Sequence, residues 1–330
     1  MNEKLLTISV AAYNVEEYLE NALNHIELQE WLDRLEVFII DDGGSDNSLY
    51  IAQRYEEKYP KTFHAVHKEN GGYGSTVAYS IDNATGKYFK ILDGDDWFNE
   101  QGLRDVLSIL ETCTEDVIVT DYYRGPSPNN MSLISCKHID KEIVDVKNYD
   151  PAVPHGMWAL FYKTEVLKKT GIVFPSHTFY TDQLYATLPF ANAKRILFIK
   201  TPVYCYRFGR SEQSTSRISR IKHFEEMLRV CDLLYGFFET NKRDNNQYLL
   251  SRTAQYYLGA VRTMLLFPVN TKNKKRIIEY ERRNQQIHPE IYYAAEMKGT
   301  LFAKYISIMR KTGYKLYWVN ILMPKKVIDF

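Results

Sequence analysis

Short apolar segments alternate with helical segments over the first hundred or so residues, and this alternation constrains the fold more than any other feature. The apolar segments are Leu5–Ala12, Leu35–Ile40, Phe63–His67 and Tyr88–Leu92. Apolar residues at helical spacing predict helices between them, at Glu16 to about Ile26, Ser48–Tyr59 and from Ser75 towards Asn83. A further strand is expected at Asp116–Thr120. Strands that alternate with helices at this spacing predict a parallel α/β sheet.

Each of the first four predicted strands ends in a polar or glycine-rich motif. The motifs are Tyr13-Asn14, Asp41-Asp42, Asn70-Gly71-Gly72 and the acidic run Asp93–Asp96. Ligands of parallel α/β sheets bind beyond the carboxyl ends of the strands. The four loops are therefore expected to form one pocket.

The pattern changes after the fifth strand. Prolines and the pair Asn129-Asn130 predict a long loop from about Arg124 to Pro154. Strand-like order returns at Trp158–Tyr162 and Ile196–Tyr206, and helical spacing dominates after Ser219. We therefore expect an α/β domain over residues 1–215 and a helical region over residues 216–330.

Charge is distributed unevenly along the chain. Residues 201–330 contain 23 Lys+Arg and 11 Asp+Glu, a net of +12, and the remaining 19 Lys+Arg and 30 Asp+Glu give residues 1–200 a net of −11. The acidic first part argues against nucleic acid as a partner. The basic second part is expected either to face phosphates or to pair with the acidic part.

The four cysteines show no CxxC pair and no metal-type spacing, which is typical of reduced thiols in a cytosolic protein. The N-terminal residues lack the pattern of a signal peptide. No stretch reaches the eighteen or so apolar residues of a transmembrane helix. We expect a cytoplasmic protein, soluble or peripheral on the inner face of the membrane.

Three carboxylates crowd into the run Asp93-Gly94-Asp95-Asp96. Unpaired, they would repel one another, and a divalent cation with oxygen ligands, Mn²⁺ or Mg²⁺, removes that cost. Such a cation would bridge the phosphates of a nucleotide. The alternative is an exposed acidic turn that caps the next helix.

A second motif, Asp41 to Asp46, places two carboxylates and two glycines at the end of a strand. Its carboxylates could accept a hydrogen bond from the N–H of a uracil ring or from a ribose hydroxyl. The alternative is a glycine turn with Asp46 as the N-cap of the next helix, and the two interpretations are compatible. The glycines at 71, 72 and 74 do not satisfy G-x-G-x-x-G, which disfavours a nicotinamide enzyme.

Four segments in order resemble the family 2 glycosyltransferases. They are Ile8-Ser-Val-Ala-Ala-Tyr-Asn14, Ile40-Asp-Asp-Gly-Gly-Ser-Asp46, Asn70-Gly-Gly, and Ala84-Thr-Gly-Lys-Tyr-Phe-Lys-Ile-Leu-Asp-Gly-Asp-Asp-Trp97. The resemblance implies a GT-A fold, an inverting mechanism and a UDP-sugar donor. It is closest to bacterial members that build cell-surface glycans, so the implied acceptor is a glycan or a polyprenyl-linked glycan.

The resemblance also implies roles for individual residues. Nucleoside contacts fall to Ala11, Tyr13 and Asp42, the last taking the uracil N–H. The DxD motif would be Asp93 and Asp95, binding ribose, diphosphate and metal with Asp96 beside them. The donor loops add Asn70, Gly71 and Gly94, and a Tyr-x-Tyr-Arg segment adds Arg207 and Arg210 for a diphosphate or a phosphorylated acceptor.

Family members also carry a late acidic residue as general base, and the matching position is Asp182. A helix N-terminal aspartate is the alternative reading of that residue. The sequence departs from the family pattern at three places. Ala11 replaces a common proline, Thr76-Val77-Ala78 replaces a frequent Ala-Arg-Asn, and Thr181 replaces the glutamate before the base.

Two further features leave alternatives open. His155 could line the acceptor side or be structural. The segment from Leu301 to Lys326 mixes aromatic and basic residues, as an interfacial helix on anionic lipid does, but packing on the domain or a homo-oligomer contact explains it equally. Rival functions are a sugar nucleotidyltransferase, which requires an early glycine-rich basic loop that is lacking after Val10, and a non-catalytic nucleotide-sugar or glycan-binding relative.

Overall fold

The computed structural model describes residues 3–136, 139–150, 155–209, 213–242, 247–297 and 300–321. These residues fall into two compact units. The first takes in the chain up to Val146 and the residues from His155 to 209, and the second takes in Lys147 to Asp150 and the residues from 213 onward.

Ten strands of the first unit, counted over the described residues, form one sheet. They are β1 Leu6–Ala12, β2 Leu35–Asp41, β3 Phe63–His67, β4 Tyr88–Asp93, β5 Trp97–Phe98, β6 Val117–Ser127, β7 Asn130–Ile134, β8 Ile143–Asp145, β9 Leu160–Lys163 and β10 Arg195–Arg207. Along the sheet the order is β3-β2-β1-β4-β9-β6-β10-β5, and β7 and β8 pair with β6 and β10.

The first four strands are parallel, as the sequence predicts, with β1 between β2 and β4. All seven residues of β2 are buried, because a strand of a parallel sheet is covered on both faces. In register, Ala11 of β1 lies between Ile40 of β2 and Asp93 of β4. The carboxyl ends of these strands therefore meet at one edge.

Beyond β4 the sheet is mixed, which the prediction of a parallel sheet did not include: β6 and β10 are parallel, but other strands are antiparallel. The short strand β9 lies between β4 and β6 and runs antiparallel to both. Strand β5 is likewise antiparallel to β10. An apolar run of four residues looks the same in either direction, so the sequence pattern could not give its orientation.

The predicted long loop after Arg124 is also partly wrong. Strand β6 continues to Ser127 and pairs with β7 as an antiparallel hairpin, so the prolines and asparagines mark its turn. Most residues of β7 are exposed or half-buried. An edge strand without a buried face lacks the apolar alternation that identifies a strand.

Six helices belong to the described part of the first unit: α1 Glu16–Asn24, α2 Ser48–Lys58, α3 Tyr73–Asn83, α4 Glu100–Thr112, α5 Thr164–Thr170 and α6 Asp182–Thr187. Helix α4 illustrates why they form. Its N-cap Asn99 accepts a hydrogen bond from the Gly102 amide at 2.7 Å, and Leu103, Val106 and Leu110 are buried.

The second unit is helical in its described residues: α7 Arg217–Lys222, α8 Phe224–Asn241, α9 Gln247–Met264, α10 Thr271–Ile287, α11 Pro289–Glu296 and α12 Leu301–Lys311. Tyr149 stacks on Tyr248 at 5.9 Å, which places the segment before residue 151 in this unit. Among the described residues, no helix combines the length and apolarity needed to cross a bilayer.

Candidate active site

The acidic run forms a tight turn between β4 and β5, directly against the end of β1. The Gly94 amide donates to the Ala11 carbonyl at 3.0 Å. A Cβ at position 94 would lie 2.7 Å from that oxygen and 2.9 Å from Val15 Cγ2. Only glycine permits this close approach, so Gly94 fixes the turn beside the first strand.

The carboxylates of Asp93, Asp95 and Asp96 lie together, with one ligand atom of each within 4.8 Å of the others. Burial, followed by the charge of Asp95, raises the pKa of the Asp93 carboxyl to about 8. Burial and the charges of the other two also raise the pKa of Asp96. Such a cluster is costly without a neutralising cation.

One oxygen of the cluster lacks a well-placed protein donor. Asp93 Oδ1 is buried and has no hydrogen-bond partner of ordinary geometry in the described ranges, although a hydrogen bond from the Tyr73 side chain to the Asp93 carboxyl opposes the rise of its pKa. A buried carboxylate oxygen that lacks such a partner is rare in proteins and calls for an ion or water. Oxygen donors in this arrangement suit Mn²⁺ or Mg²⁺.

Protein donors occupy both oxygens of the Asp96 carboxylate. The Tyr204 hydroxyl donates to Oδ2 at 2.7 Å, and the Arg207 amide donates to Oδ1 at 2.7 Å. The same Tyr204 oxygen accepts a hydrogen bond from the Asp93 amide at 3.1 Å. Asp96 and Tyr204 therefore fasten the acidic turn to β10.

The Asp42 carboxylate organises the glycine loop that follows β3. It is buried and accepts hydrogen bonds from the amides of Gly71 at 2.9 Å and Gly72 at 2.8 Å. Lys68 Nζ donates to it at 2.5 Å, and Asn70 Nδ2 donates to the Asp42 carbonyl at 2.9 Å. The predicted residues Asp42, Asn70 and Gly71 thus lie together.

The end of β1 contributes Ala11 and Tyr13 to the same edge of the sheet. Tyr13 is 53% exposed just beyond the strand. Asn14 adopts a positive φ of 53°, and its Oδ1 accepts a hydrogen bond from the Ser45 amide at 2.8 Å. This bond ties the loop after β1 to the loop after β2.

Asp182, distant in sequence, begins α6 close to the acidic turn. Its charge contributes to raising the pKa values of both Asp93 and the buried Tyr73 hydroxyl. The loop before it is anchored where the His177 amide donates to the Gly71 carbonyl at 2.8 Å. Gly72 has a φ of 82°, and a Cβ there would lie 3.1 Å from the His177 backbone.

Arg207 lies at the end of β10, in contact with the acidic turn. Its Nε donates to the Asp95 carbonyl at 3.1 Å. The guanidinium lies 4.8 Å from the centre of the Tyr18 ring and 5.1 Å from that of Trp97. Arg210 lies outside the described residues.

Sequence reasoning missed the buried residues that hold the site. Lys90 of β4 is fully buried, and its ammonium donates to the carbonyls of Met157, Trp158 and Leu160 at 2.7 to 3.0 Å. A lysine within a strand suggests a solvent-facing position, so no sequence signal identifies this role. His155 is buried beside Phe198, their ring centres 5.9 Å apart.

Residues 7–170 match the family model described as glycosyl transferase family 2. Over 253 residues the chain is 26% identical to the putative glycosyltransferase EpsH of Bacillus subtilis, covering 74% of this chain and 72% of EpsH. Over 268 residues it is 24% identical to the poly(ribitol-phosphate) beta-N-acetylglucosaminyltransferase TarS of Staphylococcus aureus, covering 76% of this chain and 46% of TarS.

The fold is also that of a solved structure. S. aureus TarS 1-349, crystallised in complex with UDP-GlcNAc, resembles this chain with a TM-score of 0.60 at 18% identity, over 94% of this chain and 92% of that one. The predicted GT-A fold with a helical C-terminal region is thereby confirmed.

Proposed function

The chain belongs to glycosyl transferase family 2, and from that premise we propose that it transfers a sugar from a UDP-sugar to a hydroxyl of a bacterial cell-surface glycan, with inversion. The observation that carries this proposal is the carboxylate cluster of the acidic turn at the carboxyl edge of the sheet, and it is supported by the charge of Asp182, which contributes to raising the pKa of Asp93. In this proposal the carboxylates of the acidic turn hold the donor, and the carboxylate of Asp182 acts on the acceptor.

The nucleotide is proposed to bind over the ends of β1 and β2. Tyr13 offers an exposed ring there, and Asp42 keeps the glycine loop in place while one of its oxygens takes the uracil N–H. Arg207, beside the Asp95 carbonyl, supplies positive charge near the diphosphate. UDP-GlcNAc is the first donor to test, because TarS is named for N-acetylglucosamine transfer.

Asp93 and Asp95 are the residues that would hold Mn²⁺ or Mg²⁺. Asp93 offers a buried oxygen without a donor of ordinary geometry in the described part of the chain, whereas both oxygens of Asp96 are engaged by protein donors. A bound divalent cation supplies stabilisation of the negative charge that develops on the leaving diphosphate. In this proposal Asp96 holds the shape of the turn, although the sequence groups it with the metal ligands.

Asp182 is proposed to act as the general base. Its carboxylate takes the proton of the acceptor hydroxyl as that oxygen forms a bond to the anomeric carbon. The bond from the anomeric carbon to the diphosphate oxygen breaks, and UDP leaves with the electron pair. The partly exposed position of Asp182 near Asp93 suits an acceptor that arrives from solvent.

The proposed location is the cytoplasm, at its boundary with the membrane where a polyprenyl-linked acceptor would be found. The four cysteines are free thiols, and Cys113, Cys205 and Cys231 are buried. Burial raises the pKa values of these thiols, which keeps them protonated and unreactive. Reduced thiols are usual in a cytosolic protein.

A screen of UDP-sugars for slow donor hydrolysis tests the proposed activity. We expect one UDP-sugar, with UDP-GlcNAc tested first, to be hydrolysed in the presence of Mn²⁺ and to be protected by EDTA. Release of UDP, measured by a coupled assay, reports the reaction without a known acceptor. A non-catalytic relative would bind UDP in calorimetry yet release none from any sugar, and a nucleotidyltransferase would release pyrophosphate from UTP and a sugar phosphate.

Replacing Tyr204 with phenylalanine tests whether Asp96 and Tyr204 hold the turn. The variant leaves Asp96 Oδ2 and the Asp93 amide without their partner, so we expect a loss of about 1–3 kcal/mol in unfolding free energy. We also expect the donor KM to rise about tenfold, a change of about 1.4 kcal/mol in donor binding.

Tyr88→Phe is the matched control, because that buried hydroxyl donates to the Glu115 carbonyl at 3.0 Å and takes no part in the acidic turn. It should lose stability and keep the donor KM. Equal donor KM values for both variants would argue against a positioning role for Tyr204.

A further inference from the structure

Helix α12 has one face fixed inside the helical unit. Ala303, Ile306 and Met309 are buried on that face. Arg310 donates from Nε to Glu281 Oε2 at 2.5 Å, and the Tyr314 hydroxyl donates to the same oxygen at 2.8 Å. A buried ion pair with these extra donors sets the rotation of the helix about its own axis, so the opposite face is defined as well.

That opposite face combines exposed apolar residues with lysines. Leu301 is 86% exposed and Ile308 is 52% exposed. Lys304 and Lys311 are exposed as well. The spacing of three, four and three residues puts all four on one side of the helix, where apolar residues and lysines alternate along its length.

The segment after α12 adds further exposed apolar and basic side chains. Leu316, Trp318 and Val319 are 42%, 43% and 43% exposed, and Lys315 is exposed beside them. Lys274 of α10 brings its ammonium 5.8 Å from the centre of the Trp318 ring. The sequence from Leu301 to Ile321 contains no acidic residue.

We propose that this outer α12 surface binds the surface of an anionic lipid bilayer. It is defined by Leu301, Lys304, Ile308, Lys311, Lys315, Leu316, Trp318 and Val319. Apolar and tryptophan side chains enter the boundary between headgroups and acyl chains, while lysines extend to the lipid phosphates. This inference concerns the location of the protein and does not depend on the proposed donor or base.

Other occupants fit the same residues less well. A phosphate-bearing glycan in solution would engage the lysines but would leave Leu301, Ile308 and Val319 without a partner. A protein interface is depleted in lysine relative to the rest of the surface, whereas lysine recurs throughout this one. Only a bilayer surface gives both kinds of side chain a favourable environment.

Co-sedimentation of the full chain with vesicles tests the proposal. We expect strong binding to phosphatidylcholine vesicles that contain phosphatidylglycerol, and weak binding to pure phosphatidylcholine. Each lysine near an anionic surface contributes about fivefold, so Lys304→Glu with Lys311→Glu should weaken partitioning by at least about 25-fold. Ile308→Ser with Trp318→Ser should weaken it by about tenfold or more.

The matched controls are Lys222→Glu, a charge reversal on α7, and Ile287→Ser, which removes an apolar side chain that is 54% exposed on α10. Both should bind vesicles like the unchanged protein. Circular dichroism and melting temperature verify that every variant folds, and donor hydrolysis in solution should be the same for all of them.

Three outcomes would overturn the proposal. One is equal binding to the two kinds of vesicle. Another is unchanged binding by the charge and apolar variants. The third is displacement from vesicles by soluble glycerol phosphate at the same phosphate concentration, which would mean that the lysines recognise phosphate alone. A change of oligomeric state in the variants without a change in vesicle binding would instead assign the surface to self-association.

Discussion

Replacing Asp95 with alanine is expected to lower the rate of sugar transfer by about a thousandfold and to remove the effect of Mn²⁺ on UDP affinity. A thousandfold is about 4 kcal/mol, which is the scale of charge stabilisation by a catalytic metal ion. Asp95 is half-buried, and one of its carboxylate oxygens lies within 4.8 Å of a carboxylate oxygen of Asp93. Calorimetry of UDP with and without Mn²⁺, together with initial transfer rates, measures both effects.

The fold should tolerate this change. The charge of Asp95 raises the pKa values of Asp93 and Asp96, so its removal relieves repulsion, and the melting temperature should stay the same or rise. Asp105→Ala, which removes an exposed carboxylate on α4, controls for the change in net charge and should keep full activity. An Asp95→Ala protein that binds UDP and Mn²⁺ normally would refute the assignment of the metal site.

Replacing Asp182 with asparagine is expected to lower transfer by 10²- to 10⁴-fold, the usual contribution of a general base. Asparagine has the same shape and can still meet Gln183, whose Nε2 donates to Asp182 Oδ2 at 2.6 Å, but it cannot take a proton from the acceptor. UDP affinity should change by no more than about threefold, because Asp182 is not among the residues proposed to hold the nucleotide.

The comparison that matters is between transfer and donor binding in the same variant. Asp182→Glu keeps the carboxylate and should retain part of the activity. Glu165→Gln, at an exposed helix position, should be silent in both assays. Unchanged transfer by Asp182→Asn would require another base, and parallel loss of UDP binding and transfer would make Asp182 part of the donor site.

The first half of the sheet was predictable from sequence because its strands are buried on both faces. A run such as Leu35–Asp41, buried at every residue, is visible as an uninterrupted apolar segment between helices. The second half was not, because β9 is short and β7 lies at an edge and has no buried residue. Neither strand direction nor edge pairing leaves a trace in local hydrophobic periodicity.

The candidate site shows the same division between local and long-range information. The acidic turn and the glycine loop are each a short continuous stretch of sequence. The carboxylates of the first indicate a cation, and the resemblance to family 2 glycosyltransferases implies the nucleotide role of the second. The proposed role of Asp96 differs from that of Asp93 and Asp95 because Asp96 accepts a hydrogen bond from Tyr204, which lies more than a hundred residues away in the sequence. No local pattern could identify that hydroxyl, nor the three carbonyls that engage Lys90.

The hydrogen bonds from β10 to Asp96 also have a consequence for folding during synthesis on the ribosome. Strands β1, β2 and β3 pair across 26 to 29 residues and β4 pairs with β1 across 82 residues, so all four can pair once Asp93 has emerged. The hydrogen bonds that hold Asp96 in the acidic turn can form only when residues 204–207 have left the exit tunnel, because the Tyr204 hydroxyl and the Arg207 amide donate them. Closing so long a loop is slow relative to local pairing. A nascent chain that stops short of β10 therefore has most of its parallel sheet but an unfinished acidic turn.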